Sequence, residues 1–316
     1  MRDSEKRRWT HPAVILVAMD LRDNSRLMEL ALQQARETGA RLLLFHVVVG
    51  DVAFPSEAMG FPFYDLSGAM QQARAALLPL CQAARAQKIR CDVVVREGYP
   101  AMQILEAVRQ FHVDRILLGT RSRGRFSKML LGSVADQVLR SAHIPVMTVG
   151  PEAHLEAATD NLNRVVLLAT TLRETSRTGA ALACQFARAR NARLVMLHVL
   201  PESSRRNLDE INALRELHVL ASDLRENCED REDDGPTEIE VTVTKGHPSA
   251  QILETAEALQ AELIVLGTSR SSGMHNLTHD HTVYQVLAHA PCPVLTLCCA
   301  SEDLKNMKEL EMLHAG

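Results

Sequence analysis

Residues 133–149 read SVADQVLRSAHIPVMTV and recur 148 positions later as HTVYQVLAHAPCPVLTL at residues 281–297. Four earlier blocks recur in the same order at offsets of 148 to 152. They are AMDLRDNSR (18–26) with ATTLRETSR (169–177), ARLLLFHVV (40–48) with ARLVMLHVL (192–200), GYPAMQIL (98–105) with GHPSAQIL (246–253), and DRILLGT (114–120) with ELIVLGT (262–268). Chance does not keep five matches in order, so the chain is a tandem duplication.

Each repeat alternates short apolar runs with amphipathic stretches, which predicts βα units and a parallel sheet. In the first repeat we expect strands near 13–19, 41–48, 91–96, 114–119 and 145–149, and helices near 24–38, 67–88, 100–112 and 132–142. The predicted fold class is α/β, with two tandem doubly wound domains, each a five-stranded parallel sheet with helices on both faces. We place the domains at 1–150 and 151–300, the linker near 150–162, and a C-terminal amphipathic tail at 301–316.

The amino-acid composition argues against several classes of protein. Aromatic residues make up 3% of the 316 residues, which argues against a base-stacking nucleic-acid binder. The seven cysteines are odd in number and form no C-x-x-C pair, which favours a reduced, cytoplasmic protein. No apolar run is long enough to cross a bilayer, so we expect no membrane partner.

Charge differs between the repeats. Residues 1–150 contain 20 Lys and Arg against 14 Asp and Glu, a net charge of +6. The remaining residues contain 15 against 25, a net charge of −10. We therefore expect the repeats to have different electrostatic roles.

The first repeat contains a candidate anion site. Asp20 closes its first strand, Val47 lies late in the second, and Gly119 closes the fourth. The loop TRSRGRFSKMLLGS (120–133) follows, with Gly132-Ser133 opening a helix. Free N–H groups and the positive end of the helix dipole attract phosphate there. The alternative is a turn glycine, an N-cap serine and a solvated basic loop.

This pattern resembles the universal stress protein family, whose nucleotide-binding members carry G-x2-G-x9-G-[S/T] after the fourth strand. Gly119, Ser122 in place of the second glycine, and Gly132-Ser133 keep that spacing. AHIPVMTV and APCPVLTL resemble the family's fifth strand, and LLFHVV and VMLHVL its second. The resemblance implies binding of ATP, with Mg²⁺ accompanying the nucleotide. The implied binding residues are Ala18, Asp20, Val47, Leu118, Gly119, Arg121, Ser122, Gly132, Ser133 and Val134.

The second repeat has lost more of this pattern. Gly267 remains, but Arg270 takes the second glycine position, Asp280-His281 replace the Gly-Ser pair, and Thr171 replaces the aspartate. A carboxylate at the helix start would repel phosphate. We expect the second repeat to bind no ATP in the family manner.

Two further segments have competing interpretations. His275 and His279 would share one face of a helix, with His281 nearby, as in metal-binding helices; the alternative is a polar loop with Asp280 as an N-cap. The insertion DVAFPSEAMGFPFYDL (51–66) concentrates aromatic residues, so it is either a lid or partner surface, or a loop folded over its own domain.

Catalysis has little support, because no G-x-S-x-G or H-E-x-x-H motif is present and Cys81 and Cys91 lack a nearby histidine. We interpret His46 and His198 as core histidines. The leading hypothesis is a stress-response sensor or regulator that binds an adenine nucleotide, with the second repeat as a non-binding structural and interaction partner. The alternatives are a nucleotide-free scaffold and an ATP-consuming enzyme. The resemblance also implies that the two fifth strands pair within the chain; homodimerisation, or a protein partner at 51–66, stays open.

Overall fold

The computed structural model describes residues 8–21, 24–50, 65–120, 131–155, 164–172, 176–204, 207–228, 237–269 and 277–299. The first repeat contains β1 Val14–Ala18, α1 Ser25–Thr38, β2 Arg41–Val48, α2 Leu66–Ala86, β3 Cys91–Glu97, α3 Pro100–Gln110, β4 Arg115–Gly119, α4 Ser133–Ser141 and β5 Val146–Val149. The second contains β6 Val165–Ala169, α5 Ser176–Ala189, β7 Arg193–Leu200, α6 Asn207–Cys228, β8 Ile239–Lys245, α7 Pro248–Ala258, β9 Leu263–Ser269, α8 Leu277–His289 and β10 Val294–Cys299. The bounds predicted for the first repeat are confirmed to within two residues.

One compact unit comprises residues 11–119 and 133–142. Its strands run parallel in the order β3, β2, β1, β4. Seven of the eight residues of β2 are buried, as is the centre of β1, so neighbouring elements cover both faces of these strands. Consecutive strands step outward from β1 to β3, and the chain then crosses back to place β4 on the other side of β1. The gap between β1 and β4 is therefore the switch point of this sheet.

Of the described residues, those from 143 onward, together with residues 8–10, 120, 131 and 132, form the other compact unit. Its strands follow the order β5, β10, β9, β6, β7, β8, and all of the pairs are parallel except β5 with β10. The fifth strand of the first repeat thus belongs to this unit. The expectation that the two fifth strands pair is confirmed.

The pairing of β5 with β10 is symmetric in the repeat. Met147 lies opposite Leu295, the residue 148 positions later that the duplication makes its equivalent. The Thr148 hydroxyl donates to the Val294 carbonyl at 3.3 Å, and the equivalent Thr296 hydroxyl donates to the Val146 carbonyl at 3.1 Å. A strand that meets its own copy in this way has the self-complementary geometry of a two-fold dimer interface.

An acidic residue just before the fourth strand of each repeat holds the start of the first strand. The Asp114 carboxylate accepts hydrogen bonds from the backbone N–H groups of Ala13 at 2.8 Å and Val14 at 3.1 Å. In the second repeat, Glu262 forms a two-point ion pair with Arg164 at 2.6 and 3.0 Å. Both contacts lie at the amino edge of the strands, opposite the edge where the site was predicted.

Buried thiols make stability depend on pH. Burial raises the pKa of Cys292 from its ordinary 9.0 to about 12, although a hydrogen bond from the Ile264 backbone opposes the shift. The folded chain therefore keeps this proton between pH 9 and about 12, whereas the unfolded chain releases it. The thiol's contribution is complete below pH 9 and declines above it.

We expect the free energy of unfolding to fall by about 1.4 kcal/mol per pH unit for this thiol above pH 9. Chemical denaturation at several pH values between about 8 and 10.5 measures the slope. Cys292→Ala should make the slope less steep, because the variant lacks this thiol. The remaining slope then comes from the other titrating groups. Equal slopes in the two proteins would contradict the assignment.

Among the residues that the structure describes, no helix combines the length and the apolar character needed to span a membrane.

Candidate functional site

The structure brings the predicted residues of the first repeat to the carboxyl edge of its sheet. Ala18, the last residue of β1, lies beside Leu118 of β4 in the parallel register, and Asp20 follows two residues later. Val47 lies near the end of β2, the other neighbour of β1. In open α/β sheets, ligands bind beyond the carboxyl ends of the strands at the switch point, which is where these residues lie.

The exposure of these residues divides them into a floor and a rim. Val47 and Leu118 are 8% and 3% exposed, and Ala18 is half-buried. Asp20 and Gly119 are exposed. No atom in the described part of the chain, apart from its chain neighbours, lies within 4 Å of the position that a Cβ on Gly119 would take. The described residues therefore leave the space beside Gly119 open, and their packing does not require glycine there.

The helix after β4 carries the remaining described residues that the resemblance assigned to the site. Helix α4 begins at Ser133, which is exposed, and the half-buried residues Gly132 and Val134 flank it. Asp136 in the first turn forms an ion pair with Arg140 at 2.8 Å. Arg121 and Ser122, which the resemblance also assigned to the site, lie outside the described residues.

The sequence did not predict the conformation of the loop that carries Asp20. The Asp20 backbone N–H donates to the Asn24 side-chain oxygen at 3.4 Å, and Leu21 has a φ of 68°, in the left-handed region that side chains rarely adopt. Asn24 lies at the N-cap of α1, but its side chain makes no capping bond there. Asn24 therefore holds the Asp20 loop rather than capping the helix.

The second repeat keeps the same strand-end geometry without the same residues. Ala169 of β6 lies beside Leu266 of β9, and Thr171 is exposed where the first repeat has Asp20. Gly267 is also exposed, with no described atom within 4 Å of its Cβ position apart from its chain neighbours. Among the described residues, open space beside the glycine of the fourth strand is thus common to both repeats.

The helix of the second repeat that corresponds to α4 begins earlier than predicted. Helix α8 starts at Leu277, so Asp280 and His281 lie within it. The interpretation of Asp280 as an N-cap, and of the pair as the helix start, is wrong. Residues 131 and 132 precede the helix in the first repeat, whereas the equivalent residues 279 and 280 are helical in the second.

The described residues contain no group of three or more His, Cys, Asp and Glu side chains placed to hold a metal ion. His275, residues 51–64 of the insertion and the 301–316 tail lie outside the described residues, as do the side chains of His279 and His281. The interpretations of a histidine cluster, a lid and an amphipathic tail therefore stay predictions.

The strand order, the switch point and the helix beyond β4 define a doubly wound α/β protein with two such repeats in one chain. The universal stress protein family model matches residues 13–150 and again residues 163–297. The two matches together cover most of the chain, which therefore belongs to the universal stress protein family. The resemblance and the fold class inferred from the sequence are both confirmed.

Individual similar proteins are also universal stress proteins. A universal stress protein of Methanocaldococcus jannaschii is 32% identical over 79 residues, 25% of this chain and 46% of that protein, so the chain spans less than half of that relative. One from Thermus aquaticus is 31% identical over 136 residues, 43% of this chain and 96% of that protein. The crystal structure of a universal stress protein from Archaeoglobus fulgidus shares the fold, with a TM-score of 0.69, 20% identity, and coverage of 92% of this chain and 97% of that one.

Proposed function

We propose that the first repeat binds ATP or a related adenine nucleotide at the carboxyl ends of β1, β2 and β4. The second repeat serves as a non-binding structural and interaction partner. The chain acts in the cytoplasm as a stress-response sensor or regulator and is not an enzyme. The observation that carries the proposal is the convergence of Ala18, Asp20, Leu118 and Gly119 at the switch point of a family member.

The chemistry of this edge suits a nucleotide. The buried side chains of Val47 and Leu118 offer an apolar floor for a base, and the exposed Asp20 carboxylate accepts hydrogen bonds from ribose hydroxyls. Ser133 opens a helix whose first N–H groups favour phosphate. Among the proposed binding residues, Asp20 has the carboxylate that would coordinate Mg²⁺ together with phosphate oxygens.

Equilibrium dialysis of the full chain against ATP tests the proposal through its stoichiometry. One nucleotide per chain is expected, because the second repeat lacks the carboxylate and the Gly-Ser pair. Mass spectrometry of ligand retained through native purification identifies the nucleotide without presupposing ATP. Two nucleotides per chain would contradict the assignment of the second repeat, and none would contradict the proposal.

Gly119→Ala is expected to weaken ATP binding about tenfold while leaving stability unchanged or slightly raised. The added methyl group enters space that the described residues leave open but a bound nucleotide would fill, and alanine restricts the unfolded chain more than glycine does. Dialysis and chemical denaturation measure the two effects. Gly267→Ala is the matched control, because it adds the same methyl group to the same open position of the second repeat and should leave binding unchanged. Equal ATP affinity in Gly119→Ala and wild type would place the nucleotide elsewhere.

A nucleotide-free scaffold is the second candidate, and one observation favours it. The second repeat keeps the strand-end shape and the open space beside Gly267 although its motif is degraded. The shape is therefore compatible with a role in protein contacts alone. Dialysis that detects no bound nucleotide, with the chain folded, would favour this scaffold.

The buried cysteines support a non-enzymatic role. Cys81 and Cys91 are each 2% exposed, and burial together with a hydrogen bond from Cys81 raises the pKa of Cys91 far above its ordinary value. A thiol is nucleophilic as thiolate, which such a pKa makes scarce at neutral pH.

Phosphate release from ATP that disappears in Asp20→Ala would instead favour an ATP-consuming enzyme.

A further inference from the structure

In each repeat, a histidine near the end of the second strand is hydrogen-bonded to the residue that follows the first strand. The His46 Nδ1 lies 2.7 Å from the Met19 carbonyl oxygen, and the His198 Nδ1 lies 2.8 Å from the Thr170 carbonyl oxygen. A carbonyl oxygen only accepts, so Nδ1 carries the proton and donates in both repeats. Both repeats have kept this hydrogen bond although their sequences have diverged.

The second strand also holds this residue by its N–H group. The Met19 N–H donates to the Phe45 carbonyl at 2.8 Å, and the Thr170 N–H donates to the Leu197 carbonyl at 2.9 Å. Neighbouring residues of one strand thus fix both backbone polar groups of the residue. Loss of the histidine would leave the N–H bond in place, so strand pairing would persist while the carbonyl became free to turn.

The loop beyond this bond is strained at equivalent positions. Leu21 has a φ of 68° and Leu172 a φ of 59°. Leucine enters the left-handed region only where surrounding contacts hold it there. Asp20 lies between the held carbonyl of Met19 and this left-handed residue, so the backbone on both sides sets the direction of its Cα–Cβ bond, from which the carboxylate extends.

We propose that His46 is a positioning residue for the nucleotide site: by holding the Met19 carbonyl, it aims the Asp20 carboxylate at the ligand. The inference rests on the function proposed above. His46 is 9% exposed and is not among the residues expected to touch the nucleotide. In the second repeat the same bond precedes Thr171, which has no carboxylate to aim. The His198 bond is therefore structural only.

Four variants of the full chain separate positioning from stability. His46→Leu removes the donor at similar volume. His46→Asn restores it, because the asparagine Nδ2 stands as many bonds from the backbone as the histidine Nδ1. His198→Leu removes the equivalent bond in the second repeat. His46→Gln, which moves the donor one bond outward, replaces His46→Leu if that variant does not fold.

Dialysis against ATP and chemical denaturation are measured on each variant. His46→Leu should bind ATP about tenfold more weakly than wild type, the change expected for one hydrogen bond. His46→Asn should bind within about threefold of wild type on the same scale. His198→Leu should bind as wild type does while losing as much stability as His46→Leu.

Wild-type affinity in His46→Leu, or His46→Asn as weak as His46→Leu, would overturn the positioning role while leaving the nucleotide site in place. Equal weakening by His198→Leu would show a global effect and overturn the role as well. A wild-type chain that binds no nucleotide would overturn the proposed function itself, and the positioning role with it.

Discussion

Gly132→Asp should lower the affinity of the first repeat for ATP on the order of 100-fold, about 2.7 kcal/mol. Gly132 precedes Ser133, the first residue of α4, where free N–H groups and the helix dipole favour the nucleotide phosphates. A carboxylate at that position competes for the same N–H groups and repels the phosphates. Isothermal titration calorimetry of the folded variant measures the change.

Tyr99→Asp is the matched control for the added charge. Tyr99 is 61% exposed and directly precedes α3, another helix start, after β3. The variant adds one carboxylate before a helix while leaving the predicted cradle intact, so we expect affinity within about twofold of wild type. If both variants weakened binding alike, the effect would be one of net charge, and the cradle at Gly132 would lose its support.

Glu262→Ala should cost about 3 to 5 kcal/mol of unfolding free energy, the largest stability effect that we expect. Glu262 and Arg164 are 10% and 17% exposed and make two contacts at 2.6 and 3.0 Å. Removal of the carboxylate takes a two-point ion pair away from a guanidinium that is poorly hydrated. Chemical denaturation of both proteins gives the difference.

A second arginine–glutamate pair provides the comparison. Arg193 and Glu240 also approach to 2.6 Å, but their side chains are 29% and 41% exposed. Water can replace the lost partner there, so Glu240→Ala should cost less than about 1 kcal/mol. The double variant Arg164→Met with Glu262→Leu should recover most of the stability, because an apolar pair carries no buried charge. Equal costs for Glu262→Ala and Glu240→Ala would show that burial does not decide the strength of these pairs.

The repeat and the local periodicity predicted the helices and strands closely, because both signals come from residues near one another in the chain. β2 was predicted at 41–48 and is found at Arg41–Val48. Its burial on both faces produces the continuous apolar run from which it was predicted. The placement of Ala18, Asp20 and Gly119 at one edge follows from parallel strand order, which the alternation of strands and helices indicates.

What the sequence did not predict depends on contacts between distant residues or on unusual backbone conformations. The local pattern around β5 does not show that this strand packs with the second repeat, because its partner β10 lies 148 positions away. The pairing of the two strands was expected from the family resemblance and not from the pattern. Leucine at position 21 gives no sign of a left-handed conformation, which glycine or asparagine would have indicated.

His46 was predicted to be a core histidine. It is buried, but its hydrogen bond to the Met19 carbonyl gives it a specific partner. The available signal was the L-x-H-V-like pattern of LLFHVV and VMLHVL, because a histidine kept at one place in two diverged repeats suggests a retained contact. Asp280 was misplaced because its alignment with Gly132 carries over a residue position but not the start of a helix.

The meeting of Met147 with Leu295 has a consequence for how the two repeats change over time. In a homodimer, one gene encodes both partners, so every substitution appears twice and both sites must tolerate it. Here each strand of the pair is encoded separately, and the linkage keeps them together at any protein concentration. One repeat could therefore lose its carboxylate and its Gly-Ser pair, and become acidic, while the other kept both.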